Sequence, residues 1–289
     1  MVLLKEKMLC VVATLLLCAM ASGCMPVMRL GVGMAHPAID NIEASLFQQN
    51  NLDLAERGLP GTIMLLEGIL ANAPNDLLLQ VVAVKAYLGL GMLIEDKSPA
   101  EATALYTRGT EWGMKALKQH RGFRKALEEG KNMVEAARQV KSQRFVPALL
   151  WTAACMGSCV LLNIDDPMIA VDLGAVNALA NQACALNDVY FHGFAYLFVG
   201  TVNSILPATF GGDRQRAESA FKTLSTLNED KFLLSKVFYA KFFLTDAKLS
   251  KEIMQGVVDS PDKLMPDIEL MNQIAKAKAR HYIKVKESM

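Results

Sequence analysis

The sequence predicts an all-α protein built of stacked helix pairs. Three observations carry that prediction. Of 289 residues, 40 are Leu and 36 are Ala, both strong helix formers. No two strand-like runs are joined by an Asn-Gly hairpin signal. Apolar residues recur at steps of three and four over long stretches, the period of a helix with one buried face. Hydrophobic residues make up 52% of the chain and charged residues 20%, which excludes a disordered chain too poor in apolar groups to fold. Lys and Arg number 30 against 29 Asp and Glu, a formal net charge of +1, so no basic strip for nucleic acid is suggested.

In chain order, residues 1–23 read as an address ahead of the fold. Lys5 and Lys7 form a short charged head, and 13 uncharged residues follow at 8–20. A bilayer-spanning helix needs about 20. The shorter run suits a signal-peptide core. Ala21-Ser22-Gly23-Cys24 then resembles a bacterial lipobox, in which cleavage precedes a cysteine whose thiol takes diacylglycerol. Leu is usual where Ala21 stands. The small residues admit the backbone to the peptidase, and the Cys24 thiolate is the acylation nucleophile. An ordinary cleaved signal peptide with a structural Cys24 is the alternative. Met25, not Asp, follows Cys24, which by the sorting rule of enteric bacteria favours the outer membrane. Residues 24–37, with Gly31, Gly33 and two prolines, read as a lipidated tether, and residues 38–289 as one helical-repeat domain.

Within that domain, Ser98-Pro99-Ala100-Glu101 is a capping box with Pro at the first helical position. Behind it Ala102, Leu105, Tyr106, Gly109, Trp112, Gly113, Ala116 and Leu117 form one apolar stripe. Residues 118–144 alternate both signs of charge and read as short exposed helices around Phe123, Leu127 and Val134. Residues 145–164 carry no charge, and Asp165-Asp166-Pro167 closes them as a turn. A helix buried on all sides is preferred there to a second membrane span. Gly211-Gly212 makes a sharp loop, and Asp213 N-caps a helix with the stripe Ala217, Ala220, Phe221, Leu224 and Leu227. The last helix, 267–286, turns Ile268, Met271, Ala275, Ala279 and Tyr282 inward and its lysines outward, capping the stack.

These helices share a finer pattern. The tetratricopeptide repeat sets a small residue, a bulky one four later and a small or apolar one three beyond, so that one helix pair nests on the next. Ala102, Tyr106 and Gly109 follow it, as do Ala217, Phe221 and Leu224. Val176, Ala180 and Ala183, then Thr62, Leu66 and Ile69, follow it more loosely. The domain therefore resembles a degenerate tetratricopeptide-like stack, whose concave face would bind partners.

Residues that could carry chemistry are sparse. His36, His120, His192 and His281 form no close metal-ligand set. His192, beside Tyr190 and Phe191, reads as a capping or packing histidine. Gly157-Ser158 lacks the flanks of a nucleophile elbow, and no Lys-Ser/Thr follows Gly211-Gly212 as a phosphate loop requires. Lys276, Lys278 and Arg280 read as an exposed face. Cys155 and Cys159 lie one helical turn apart, a spacing that disfavours an unstrained disulfide. With Cys184 they read as small buried hydrophobes, in preference to one bridge through Cys184. The residues point to no catalytic centre, metal or cofactor.

Several segments, in order, resemble the TatT-type T-component lipoproteins of tripartite ATP-independent periplasmic (TRAP) transporters. They are 59–74, Ala86-Tyr87, 104–109, 147–154, Leu197-Phe198-Val199-Gly200, and Leu206-Pro207-Ala208-Thr209-Phe210-Gly211-Gly212-Asp213 with Ala217 and Phe221. Asn272-Gln273-Ile274-Ala275 with Ala279-Arg280 completes the series, which covers most of residues 40–285. The resemblance implies a non-enzymatic periplasmic lipoprotein of stacked repeats, which with Met25 would sit on the periplasmic face of a Gram-negative outer membrane. It implies association, often as trimers, with the substrate-binding P-component. It also implies a hydrophobic cleft or pore that passes small apolar or organic-acid ligands. Tyr106, Trp151, Phe210, Gly211 and Gly212 are the matched candidates for that cleft or a partner contact. Taken alone, Tyr106 and Trp151 read as core aromatics and Gly211-Gly212 as a turn, so which of them touches ligand stays open. A generic helical-repeat outer-membrane lipoprotein that scaffolds envelope assembly is the other reading.

Overall fold

The computed structural model describes residues 36–164 and 169–287. The expected signal peptide, Cys24, most of the tether and Asp165-Asp166-Pro167 lie outside the described residues. Among the described residues the chain is helical and no strand forms. Residues 36–47 form α1, which takes in the last two residues assigned to the tether. Then come α2 (Leu52–Asn72), α3 (Leu77–Ile94), α4 (Pro99–Leu117), α5 (Arg121–Glu128), α6 (Met133–Arg138) and α7 (Val146–Leu162). They are followed by α8 (Ile169–Leu186), α9 (Ala195–Ile205), α10 (Arg214–Leu227), α11 (Leu233–Phe238), α12 (Ala247–Val258) and α13 (Glu269–Glu287).

Local chemistry sets the helix starts. Asn51, Asp76 and Asp213 each accept a hydrogen bond from the backbone N–H three residues on, at 3.0 Å. The helix predicted after Ser98 begins at Pro99, but the Ser98 side chain makes no cap bond. The capping box expected there is not formed. Proline supplies the preset φ and removes an N–H that would otherwise need a partner.

Each long helix packs on the next: α2 on α3, α3 on α4, α4 on α7, α7 on α8, α8 on α9 and α9 on α10. Glycines let them approach closely. A Cβ at Gly91 would collide with the Tyr106 ring, and one at Gly113 with the Thr152 hydroxyl. At Gly200 it would stand 2.9 Å from the Phe221 ring, and at Gly157 2.9 Å from the Phe198 ring. Tyr106 and Phe221, the bulky members of the sequence pattern, thus nest on glycines of the preceding helix. The α2 pattern holds at Leu66 but is off by one residue at Thr62 and Ile69. Its buried line is Ala55, Leu59, Ile63, Leu66 and Leu70, which leaves Ile69 exposed and Thr62 at the edge. Leu227, expected inside, is also exposed. Helix α3 and the helical run Gln143–Leu162, which contains α7, are long and apolar enough to cross a membrane, yet most of each is buried inside the protein.

The last helix departs furthest from expectation. Ile268, Met271, Ala275 and Ala279 are buried as predicted and Tyr282 is half-buried, but two of the helix's lysines are not on the outside. Lys276 is 5% exposed and pairs with Asp262 at 2.5 Å. Lys278 is almost as buried and pairs with Glu95 at the end of α3. The reason is that α13 packs on α11 and α12 and also reaches back to α2, so more than one of its faces is covered.

Candidate ligand cleft

A cleft of about 420 Å³ opens between α1, α2, α3 and α13. Its walls include Ile39, Leu59, Leu66, Val82, Met92 and Ile274. Helical period explains the α3 wall, where Val82, Lys85, Gly89 and Met92 recur at steps of three and four. The same rule places Ile39, Glu43 and Phe47 in one line on α1. Trp151 of α7, only 1% exposed, lies against the buried part of the cleft.

One ion pair interrupts the apolar lining. Lys85 Nζ donates to Glu43 Oε1 at 2.5 Å, and the two side chains are 11% and 19% exposed. The ammonium also stands 5.3 Å from the centre of the Trp151 ring, within cation–π range. Aromatic side chains hold that ring in place. Phe191 meets it edge-on at 4.7 Å, Phe194 packs at 5.6 Å and Phe47 at 6.0 Å. The Trp151 Nε1–H donates to the Tyr190 hydroxyl at 3.3 Å. Phe191 reaches Trp151 from a left-handed turn, with φ of 46° at Phe191, 58° at His192 and 73° at Gly193. Such backbone at bulky residues costs about 1–3 kcal/mol each, so packing around them must offset it. His192 is held there by polar contacts: its Nε2 meets Asp267 at 2.6 Å and its carbonyl accepts from Asn228.

A second cavity, of about 460 Å³, lies beside the far end of α3. Glu95, Lys241, Lys278 and His281 line it. The sequence showed no reason for ionisable groups to converge, and an enzyme would need them to. Here one Glu95 oxygen accepts from the Tyr106 hydroxyl and the other from Lys278, so the carboxylate is occupied on both sides. Burial first, and then the Glu95 charge, push the Tyr106 hydroxyl well above the usual tyrosine range. Chemically, this set ties α13 to α3 and α4.

Among the described residues, Cys155, Cys159 and Cys184 are free thiols. Cys155 is buried and donates to the Val84 carbonyl at 3.6 Å. Burial, with the charge of Asp188 adding to it, pushes the Cys184 thiol up to about 12.

A model of the TRAP transporter T-component family matches residues 48–289. The chain belongs to that family. A search of curated proteins found no match. As a T-component it is an accessory component of a TRAP transporter. The matched span covers α2 to α13 and so includes Lys85 and Trp151, while α1 with Glu43 precedes it.

Of the five residues matched as cleft candidates in the T-component's sequence (Tyr106, Trp151, Phe210, Gly211 and Gly212), the structure brings only Trp151 to the cleft. Tyr106 is fully buried among α3, α4 and α7 and spends its hydroxyl on Glu95. Phe210 is 67% exposed in the turn before α10 and lines neither cavity. Gly211 has φ of 87°, and a Cβ at Gly212 would collide with the Leu206 carbonyl, so both glycines serve the turn. Sequence reasoning missed Lys85 and Glu43. The signal for Lys85 was present, since it is the one charged residue in the 18 residues of α3.

Proposed function

We propose that this T-component is a periplasmic lipoprotein that works beside the substrate-binding P-component and holds small apolar or organic-acid ligands in the α1–α2–α3–α13 cleft. The cleft carries the reading. An apolar cleft forfeits packing, and about 420 Å³ lies within the range of small-molecule sites, roughly 300–1,000 Å³. Exposed apolar side chains beside it, Leu54, Met64 and Leu65 of α2, favour a protein partner on that side. The lipobox resemblance supports an anchor at Cys24 and the outer membrane, and the family resemblance supports a trimer. The role is one of binding, without catalysis.

Capture of the tagged full chain from a detergent extract of its own cells tests this reading. A solute-binding protein should be recovered with it. Recovery of an outer-membrane assembly barrel and no solute-binding protein would favour the scaffold reading instead. Metabolic labelling with a clickable fatty acid tests the anchor, and Cys24→Ala should abolish the label.

A further inference from the structure

We infer that the cleft takes an amphiphilic carboxylate, an alkyl-chain acid whose headgroup pairs with Lys85, and that Glu43 of α1 fills the headgroup's place in its absence. This rests on the reading of the cleft as a ligand site. It goes beyond that reading by assigning the headgroup, its receptor and the group it must displace.

The argument starts from Lys85. An ammonium is costly to bury unless a negative group meets it. Nothing in α3 can do so, because no other residue of that helix is charged. Trp151 offers only a ring face. Glu43 is the carboxylate that meets it, at 2.5 Å. Glu43 itself sits between Ile39 and Phe47 on the inward line of α1, both of them buried. The inward face of α1 therefore presents a carboxylate within an apolar body. That is the chemistry of an alkyl-chain acid.

The seat is also exchangeable. Helix α1 buries Ile39 and Phe47, but Ile42 is largely exposed and Leu46 only half-buried. Exchanging one carboxylate for another on Lys85 conserves charge in the cleft, so the desolvation cost of the ammonium is met before and after. An alkyl chain can then cover the walls that α1 covered. An uncharged ligand would gain nothing from Lys85.

Trp151 beside Lys85 supplies the readout. The full chain is placed in lipid nanodiscs, and 10-bromodecanoate or 10-bromodecanol is added as a bromine quencher, with empty nanodiscs as the partition control. Trp151→Phe separates the cleft signal from that of Trp112. The acid should bind about ten-fold more tightly than the alcohol, the scale of one charge-assisted contact. Lys85→Gln should remove that preference. Glu43→Gln should tighten the acid and leave the alcohol unchanged, and this shape-conserving variant decides the matter if Lys85→Gln fails to fold. A preference that survives Lys85→Gln, or a Glu43→Gln variant with weakened acid binding, overturns the inference. Equal binding of acid and alcohol to the unaltered chain overturns it too while sparing the cleft. Quenching by neither probe would remove the cleft itself as a ligand site.

Discussion

The two cavities beside α3 are nearly equal in size, about 420 and 460 Å³, yet they are built on opposite terms. Helix α3 sends Lys85 to the first, and Glu95 just past its end lines the second, while Met92 touches both. In the second, Glu95 is met by two partners from different helices, the fully buried Tyr106 of α4 and Lys278 of α13. In the first, Lys85 is met by Glu43 of α1, a helix with one exposed flank. A buried charge closed by several core elements holds the fold together. One closed by a peripheral helix can change partners. The contrast is what separates a structural pocket from a candidate binding site here, since size alone does not.

The comparison can be broken or sharpened by mutation. Trp151→Ala should have the largest effect, a loss of about 3–5 kcal/mol in urea denaturation, because a large buried aromatic leaves a hole that its neighbours cannot fill. A loss under about 1 kcal/mol would mean that the wall of the cleft is not part of the core. Next, Lys278→Ala should cost about 3 kcal/mol, since Glu95 would be left charged inside the protein. Lys85→Ala should cost only about 1 kcal/mol, since Glu43 can turn with α1 toward water. Equal losses from the two lysines would erase the distinction between the cavities.

The double change Met64→Ser and Leu65→Ser should alter stability by no more than about 0.5 kcal/mol, because both side chains already face solvent. Co-purification of the solute-binding partner should nevertheless fall. Unchanged recovery would move the partner surface away from α2.

The smallest effect belongs to pH and serves as a control outside both cavities. His120 caps α5 by accepting from the Phe123 N–H at 3.3 Å, which requires a neutral ring, and burial lowers its pKa from 6.5. The unfolded chain therefore takes the proton more readily than the folded one. The cap's contribution is full above pH 6.5 and is lost as pH falls through the lowered folded value. His120→Asn, which caps without titrating, should flatten a stability decline of about 1 kcal/mol or less below that pH. Ligand binding should be untouched by it.

How far the fold was legible follows from the range of each force. Pro99 and Asp213 start their helices where the sequence placed them, because a helix start depends on groups within one turn. The stripes of α4 and α10 and the burial of α7 were likewise readable, since helical period is local. Ile69 and Leu227 went astray because periodicity gives the direction of a face but not its width. Trp151 was legible as a large aromatic in an uncharged run, though its place at a cleft was not.

The sequence by itself determined the all-helical class, several helix starts and most of the inward stripes. The tertiary structure alone decided which charges went inside. Lys85 meets Glu43 across 42 residues, and Lys278 meets Glu95 across 183. A lysine beside a stripe is solvated or buried according to what the rest of the chain brings against it, and no local period encodes that.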